Sequence, residues 1–97
     1  MKYNKGRAGP VSSNQIEIID IVHLGDGPNA YARGGAILRK ADGSFKDVSF
    51  LVQGANYQAI RENLTPGAKI RVPVRWTGGN AVTIVDQKTL TEFRKAA

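Results

Sequence analysis

The chain has no cysteine, which excludes disulfides, thiolate metal sites and a cysteine nucleophile. It has one histidine, His23, so no metal centre built on several histidines of one chain is available. No apolar run approaches the roughly 20 residues that span a bilayer. No secretory h-region follows Met1, and a soluble, cytoplasmic protein is the expectation. Acidic residues are also scarce, eight against fourteen Lys and Arg in 97 residues, a net charge of +6. The imbalance is uneven. Residues 1–14 carry three positives and no acid, residues 15–28 three acids and no base, and residues 29–97 eleven positives against five acids. A basic domain of this size favours polyanionic partners, nucleic acid first and an anionic membrane surface second.

What is present is β pattern. Residues 1–14, MKYNKGRAGPVSSN, mix Gly, Ser, Pro and basic residues without periodicity and read as a flexible basic arm. Lys2, Tyr3, Lys5 and Arg7 there can add loose phosphate contacts. QIEIIDIVHL, Gln15–Leu24, reads as a long strand whose alternation slips between Ile18 and Ile19, as a β-bulge near Ile18–Asp20 or burial of both faces would require. Asn29–Lys40 reads as a second strand, with Tyr31, Arg33, Gly35, Ile37 and Arg39 on one face. Its paired glycines, Gly34 and Gly35, imply a bend, a bulge or a close backbone approach. Phe45–Gln53 is a third strand, with Val48, Phe50 and Val52 facing one way. A short helix over ANYQAIRENL is stopped by Thr65-Pro66-Gly67. Ala68–Val85 reads as a hairpin turning at Thr77-Gly78-Gly79-Asn80, where glycines are expected to supply positive φ. Its first strand places Ile70, Val72, Val74 and Trp76 on one face and Lys69, Arg71, Pro73 and Arg75 on the other. Gln87–Ala97 is a polar tail, with Leu90 and Phe93 at helical spacing, that docks as a short helix or stays loose.

The fold class that follows is all-β: a five-stranded antiparallel barrel over residues 15–86, with a short helix between the third and fourth strands. That order is the OB-fold order. An SH3-like barrel is the runner-up, and the helix after the third strand argues against it.

Non-specific single-strand binding needs cations along a groove and exposed aromatics on which bases stack. Seven aromatics are present. Phe50, between Val48 and Val52, reads as core, and Tyr57 as packing. Tyr31 shares a strand face with Arg33 and Arg39, and Phe45 lies off the apolar parity of its strand; stacking and packing are both open for each. Trp76 lies on the apolar parity, so it closes the barrel or reaches the groove. The basic candidates are Arg33, Arg39, Lys46, Lys69, Arg71 and Arg75. Catalysis has little to stand on. Ser12, Ser13 and Ser49 have no visible base and orienter, His23 reads as structural, and neither glycine pair is followed by the helix and Lys-Ser or Lys-Thr of a phosphate loop. Glu17, Asp20 and Asp26 offer only a weak case for a divalent ion. A non-enzyme without a cofactor, metal site or small-molecule substrate is expected.

The stretches YARGGAILRK, SFKDVSFLVQGANYQAIRENLTPGAKIRVPVRW and GGNAVTIV, Ala30 to Val85, resemble the single-stranded-DNA-binding OB-fold proteins of bacteria, phages and plasmids. The match lies in a Phe-Leu-Val strand end, a short helix ending in Leu, a Pro-Gly turn and a Lys-Ile-Arg-Val strand. It implies sequence-tolerant binding of single-stranded DNA, with RNA left open because nothing reads a 2′-hydroxyl. Self-association as a dimer or tetramer is expected, because one short groove binds weakly alone. In place of the acidic tail of the bacterial replication proteins the sequence reads RKAA, which implies a minimal phage-, plasmid- or primosome-like variant. The alternative is a protein-interaction module of a replication or transfer complex.

Overall fold

The strand that meets most of its neighbours comes first in the chain. A computed structural model describes residues 9–96, and β1 spans Val11–Leu24. It is followed by β2 (Tyr31–Arg39), β3 (Phe45–Gln53), helix α1 (Gly54–Ile60), β4 (Lys69–Trp76), β5 (Ala81–Ile84) and helix α2 (Gln87–Ala96). Single 3-10 turns, Gly27–Asn29 and Arg61–Asn63, precede β2 and follow α1. No helix among the described residues is long and apolar enough to cross a membrane.

The five strands close a hydrogen-bonded ring in the order β1-β2-β3-β5-β4. This corrects the all-antiparallel expectation. Four neighbour pairs are antiparallel, but β3 and β5 are parallel, with Ser49 opposite Ala81 and Leu51 opposite Thr83. The reason is parity: a ring with an odd number of strands cannot alternate direction all the way round. α1 carries the chain from the end of β3 to the start of β4, which pairs with β1, and β5 returns beside β3.

Two further readings change. Residues 11–14, assigned to the flexible arm, belong to β1, where Val11 pairs with Arg75 and Asn14 with Val72. Residues 1–8 of that arm lie outside the described residues. Gly78 and Gly79 do not take positive φ; Gly25, Gly27, Gly43, Gly54 and Gly67 do. The β4–β5 connection is a four-residue loop closed by Thr77 N–H donating to Ala81 O at 2.9 Å. Loops of that length are most often built around a type I turn, whose central residues keep φ negative.

The slip in β1 is a bulge. Pairing with β2 shifts register between Ile18 and Asp20, so Ile18 is fully buried while Ile19 is turned out and 49% exposed. Gly34 and Gly35 receive that bulge. A Cβ on Gly34 would lie 2.1 Å from the Asp20 carbonyl oxygen, inside the backbone itself. Gly35 N–H donates to Asp20 Oδ1 at 2.8 Å, tying the bulge to β2.

The interior is filled by alternate residues of every strand, including Ile16, Ile18, Leu38, Phe50, Val52, Val74 and Val82. Complete burial of such side chains is worth about 1.5–3 kcal/mol each. α1 adds Tyr57, and Leu64 follows it into the same core. His23 fastens them: Nε2 donates to Leu64 O at 3.2 Å, and in the neutral ring Nδ1 then accepts from the Tyr57 hydroxyl at 2.8 Å.

α2 packs outside the barrel on β1 and β4. Leu90 and Val11 are both buried yet stand outside the interior cluster. Asp86 caps the helix, its Oδ1 accepting from Thr89 N–H at 2.8 Å and from the Thr89 hydroxyl at 2.6 Å. Those bonds hold the Asp86 carboxyl below its ordinary pKa. Arg94 and Lys95 complement the dipole in the last turn.

Two predictions follow from these contacts. Gly34→Ala must displace the backbone of β1 and should cost about 3 kcal/mol or prevent folding. Gly35→Ala meets only the Asp20 side chain, at 3.4 Å, and should change stability by less than about 1 kcal/mol; urea denaturation measures both. Because the Asp86 carboxyl is depressed, its contribution is full above the unfolded carboxylate pKa and is lost as pH falls through the folded value. Acidification below about pH 4 should therefore loosen α2, and Asp86→Asn should remove part of that pH dependence in melting curves.

Candidate nucleic-acid interface

The outward face of β2 carries Tyr31, Arg33, Gly35, Ile37 and Arg39, while Ala32, Ala36 and Leu38 are buried behind it. Its neighbours extend each position into a row across the sheet. Arg39 stands between Phe45 on β3 and Gln15 on β1, and Gln15 in turn faces Arg71 on β4. Arg33 stands between Val22 and Leu51, and the row continues through Thr83 to Arg75.

These rows resolve the candidate residues into two grooves. The first, about 410 Å³, is lined by Arg39, Lys40 and Arg71, with Trp76 and the polar side chains of Ser12 and Asn14. Asn14 is buried; its Nδ2 donates to Arg39 O at 3.0 Å and its Oδ1 accepts from the Ser12 hydroxyl, which ties β1 to the end of β2 beneath Arg39. Phe45 and Lys69 join this end through an adjoining hollow that also has Arg39 in its wall. Phe45 is 67% exposed, the most exposed large apolar side chain among the described residues, directly opposite an arginine. Packing does not explain it. Asp42, in the turn beside the groove, is kept ionised below its usual pKa by the Ser44 hydroxyl and N–H.

The second groove, about 590 Å³, is lined by Tyr31, Arg33, Leu51 and Thr83, with Val22 and Thr77. Tyr31 is half-buried and Arg33 exposed. The two grooves have no lining residue in common.

Three candidates are placed differently from the rest. Lys46 and Trp76 point along the inward parity at the barrel end, Lys46 opposite Leu38 and Trp76 opposite Val82. Lys46 Nζ donates to Gly79 O at 2.6 Å and sits 5.3 Å from the Trp76 ring centroid, a cation–π contact that ties β3 to the β4–β5 loop. Trp76 is half-buried and still lines the first groove, so it both closes the barrel and meets the groove. Arg75 is half-buried, and its Nε is sequestered with no partner among the described residues. Of the basic candidates, only Lys46 makes a side-chain hydrogen bond among the described residues.

Sequence reasoning missed Lys40, Ser12 and Asn14 in the first groove and Val22, Leu51 and Thr83 in the second. Leu51 and Thr83 were legible as outward parity on their strands. Ser12 and Asn14 were not, because a short run of Ser and Asn carries no strand periodicity. The chain matches no protein-family model, no curated protein and no solved structure.

If Lys46 holds the indole, Lys46→Met should leave the fold intact but raise acrylamide quenching of the emission from Trp76, the single tryptophan of the chain. Unchanged quenching would show that the ammonium does not cover the ring.

Proposed function

We propose that the chain is an OB-fold-like domain that binds single-stranded DNA without sequence preference and without catalysis. The observation that carries this reading is the grouping of Arg39, Lys40 and Arg71 around Trp76, with the exposed Phe45 beside Arg39. Guanidinium and ammonium groups neutralise phosphates and release counterions. Aromatic faces stack bases of any identity, at about 1–3 kcal/mol per base.

A titration with oligo-dT, followed by Trp76 emission at two salt concentrations, tests it. Affinity should fall steeply with salt; a flat response rules the reading out. Arg39→Ala and Arg71→Ala should each weaken binding and lower the salt slope by about one. Phe45→Ala should cost about 1–3 kcal/mol with little change in slope.

A second reading has one observation in its favour. Among the described residues, β1 pairs with β2 alone from Ile19 to Leu24, and Ile19 and Val22 on that stretch are 49% and 52% exposed. An unpaired edge with apolar side chains suits pairing with another chain, as an interaction module or a self-associating dimer requires. An oligomeric mass in size exclusion together with no oligo-dT binding would favour this reading over the first.

A further inference from the structure

We propose that each chain holds two separate single-stranded segments at once, one in each groove, so that the protein bridges strands rather than only coating one. The inference rests on the nucleic-acid reading and goes beyond it. Three observations carry it. The grooves have no lining residue in common. Each has its own cation and its own aromatic: Arg39, Lys40, Arg71 and Trp76 in the first, Arg33 and Tyr31 in the second. Along β2, the ground between them is acidic.

That ground is the middle of β2. Passing from Arg33 to Arg39 along the outward face, the two intervening positions are Gly35 and Ile37. Gly35 stands opposite Asp20, whose carboxylate accepts its N–H. Ile37 stands between Glu17 on β1 and Asp47 on β3. Three carboxylates therefore border two successive rows that offer no cation on β2, β3 or the facing part of β1. Lys69 stands opposite Glu17 at the β4 end of that row, where it shares a hollow with Glu17, Ile37 and Arg39. Like charges repel, so a phosphate backbone is disfavoured over these rows and favoured beyond them on either side. A single strand laid along β2 from Tyr31 to Arg39, about 26 Å, would cross the acidic rows. Two segments lying across the sheet, one at each end, avoid them. The shared ligand chemistry is single-stranded phosphodiester with stackable bases. Its two sources are two separate strands or two stretches of one long strand looped back.

The test is calorimetric titration of the full chain with oligo-dT of about 8 nucleotides, within the range one groove accommodates. Two oligonucleotides per chain are expected. Arg39→Ala with Arg71→Ala should leave one, without Trp76 quenching; Arg33→Ala with Tyr31→Ala should leave one that still quenches Trp76. Two oligonucleotides bearing donor and acceptor dyes should show energy transfer on the wild-type chain, and a long oligo-dT should compete this transfer away if its two stretches fill both grooves. Glu17→Gln with Asp47→Asn should strengthen binding of the long oligonucleotide several-fold more than that of the short one. One oligonucleotide per wild-type chain, abolished by either pair of substitutions, would overturn the bridging proposal and leave single-strand binding standing. No binding by the wild-type chain would overturn both.

Discussion

The ring depends on one strand serving two partners. Along its first half β1 is hydrogen-bonded to β4, and from Gln15 onward to β2, so Ile16 faces Leu38 on one side and Ile70 on the other. Beyond Ile18 it pairs with β2 alone, and there it must bend away from β4. The bulge at Ile19 makes that bend, and it is possible only because β2 presents no side chain where the Asp20 carbonyl arrives. A methyl group at Gly34 would occupy the space of a backbone atom. The closed ring, the interior it encloses and the outward faces all rest on this contact.

The outward faces follow from the same geometry. Because β2 is paired along its whole length on both sides, its alternate residues form continuous rows with β1 and β3, and the chemistry of each row is set by register rather than by neighbours in sequence. Arg39 meets Phe45 and Gln15; Ile37 meets Glu17 and Asp47; Arg33 meets Val22 and Leu51. A face that is basic at both ends and acidic at its waist is thus assembled from three strands, none of which shows the pattern alone. At the barrel end, Lys46 joins Trp76 and the Gly79 carbonyl, bringing together β3, β4 and the loop after it.

Much of the fold was legible. Strict alternation in β3 and β4 announced which side chains fill the interior, because the pleat turns successive residues to opposite faces. The slipped parity at Ile18 and Ile19 and the glycine pair in β2 pointed to a bulge and a close approach, and the two proved to be one contact. The parallel β3–β5 pair was implicit in the odd number of strands, but seeing it requires knowing that the ring closes. Val11 to Asn14 read as arm because a short stretch of Ser and Asn has low strand propensity; pairing with β4 overrides that preference. Gly78 and Gly79 misled in the other direction, since the loop length and not the glycine content selects the turn.

Sequence alone therefore determined the basic character, the absence of cysteine chemistry and the strand faces on which the basic and aromatic residues lie. Those are properties of residue type and of a two-residue period, which need no partner to be read. Tertiary structure decided which of those residues stand together: Arg39 and Arg71 with Trp76, Tyr31 with Arg33, Lys46 turned inward, and carboxylates in between. The physical reason is that cross-strand register fixes proximity in a sheet, and register is set by a bulge and a closed ring that bring distant parts of the chain into contact.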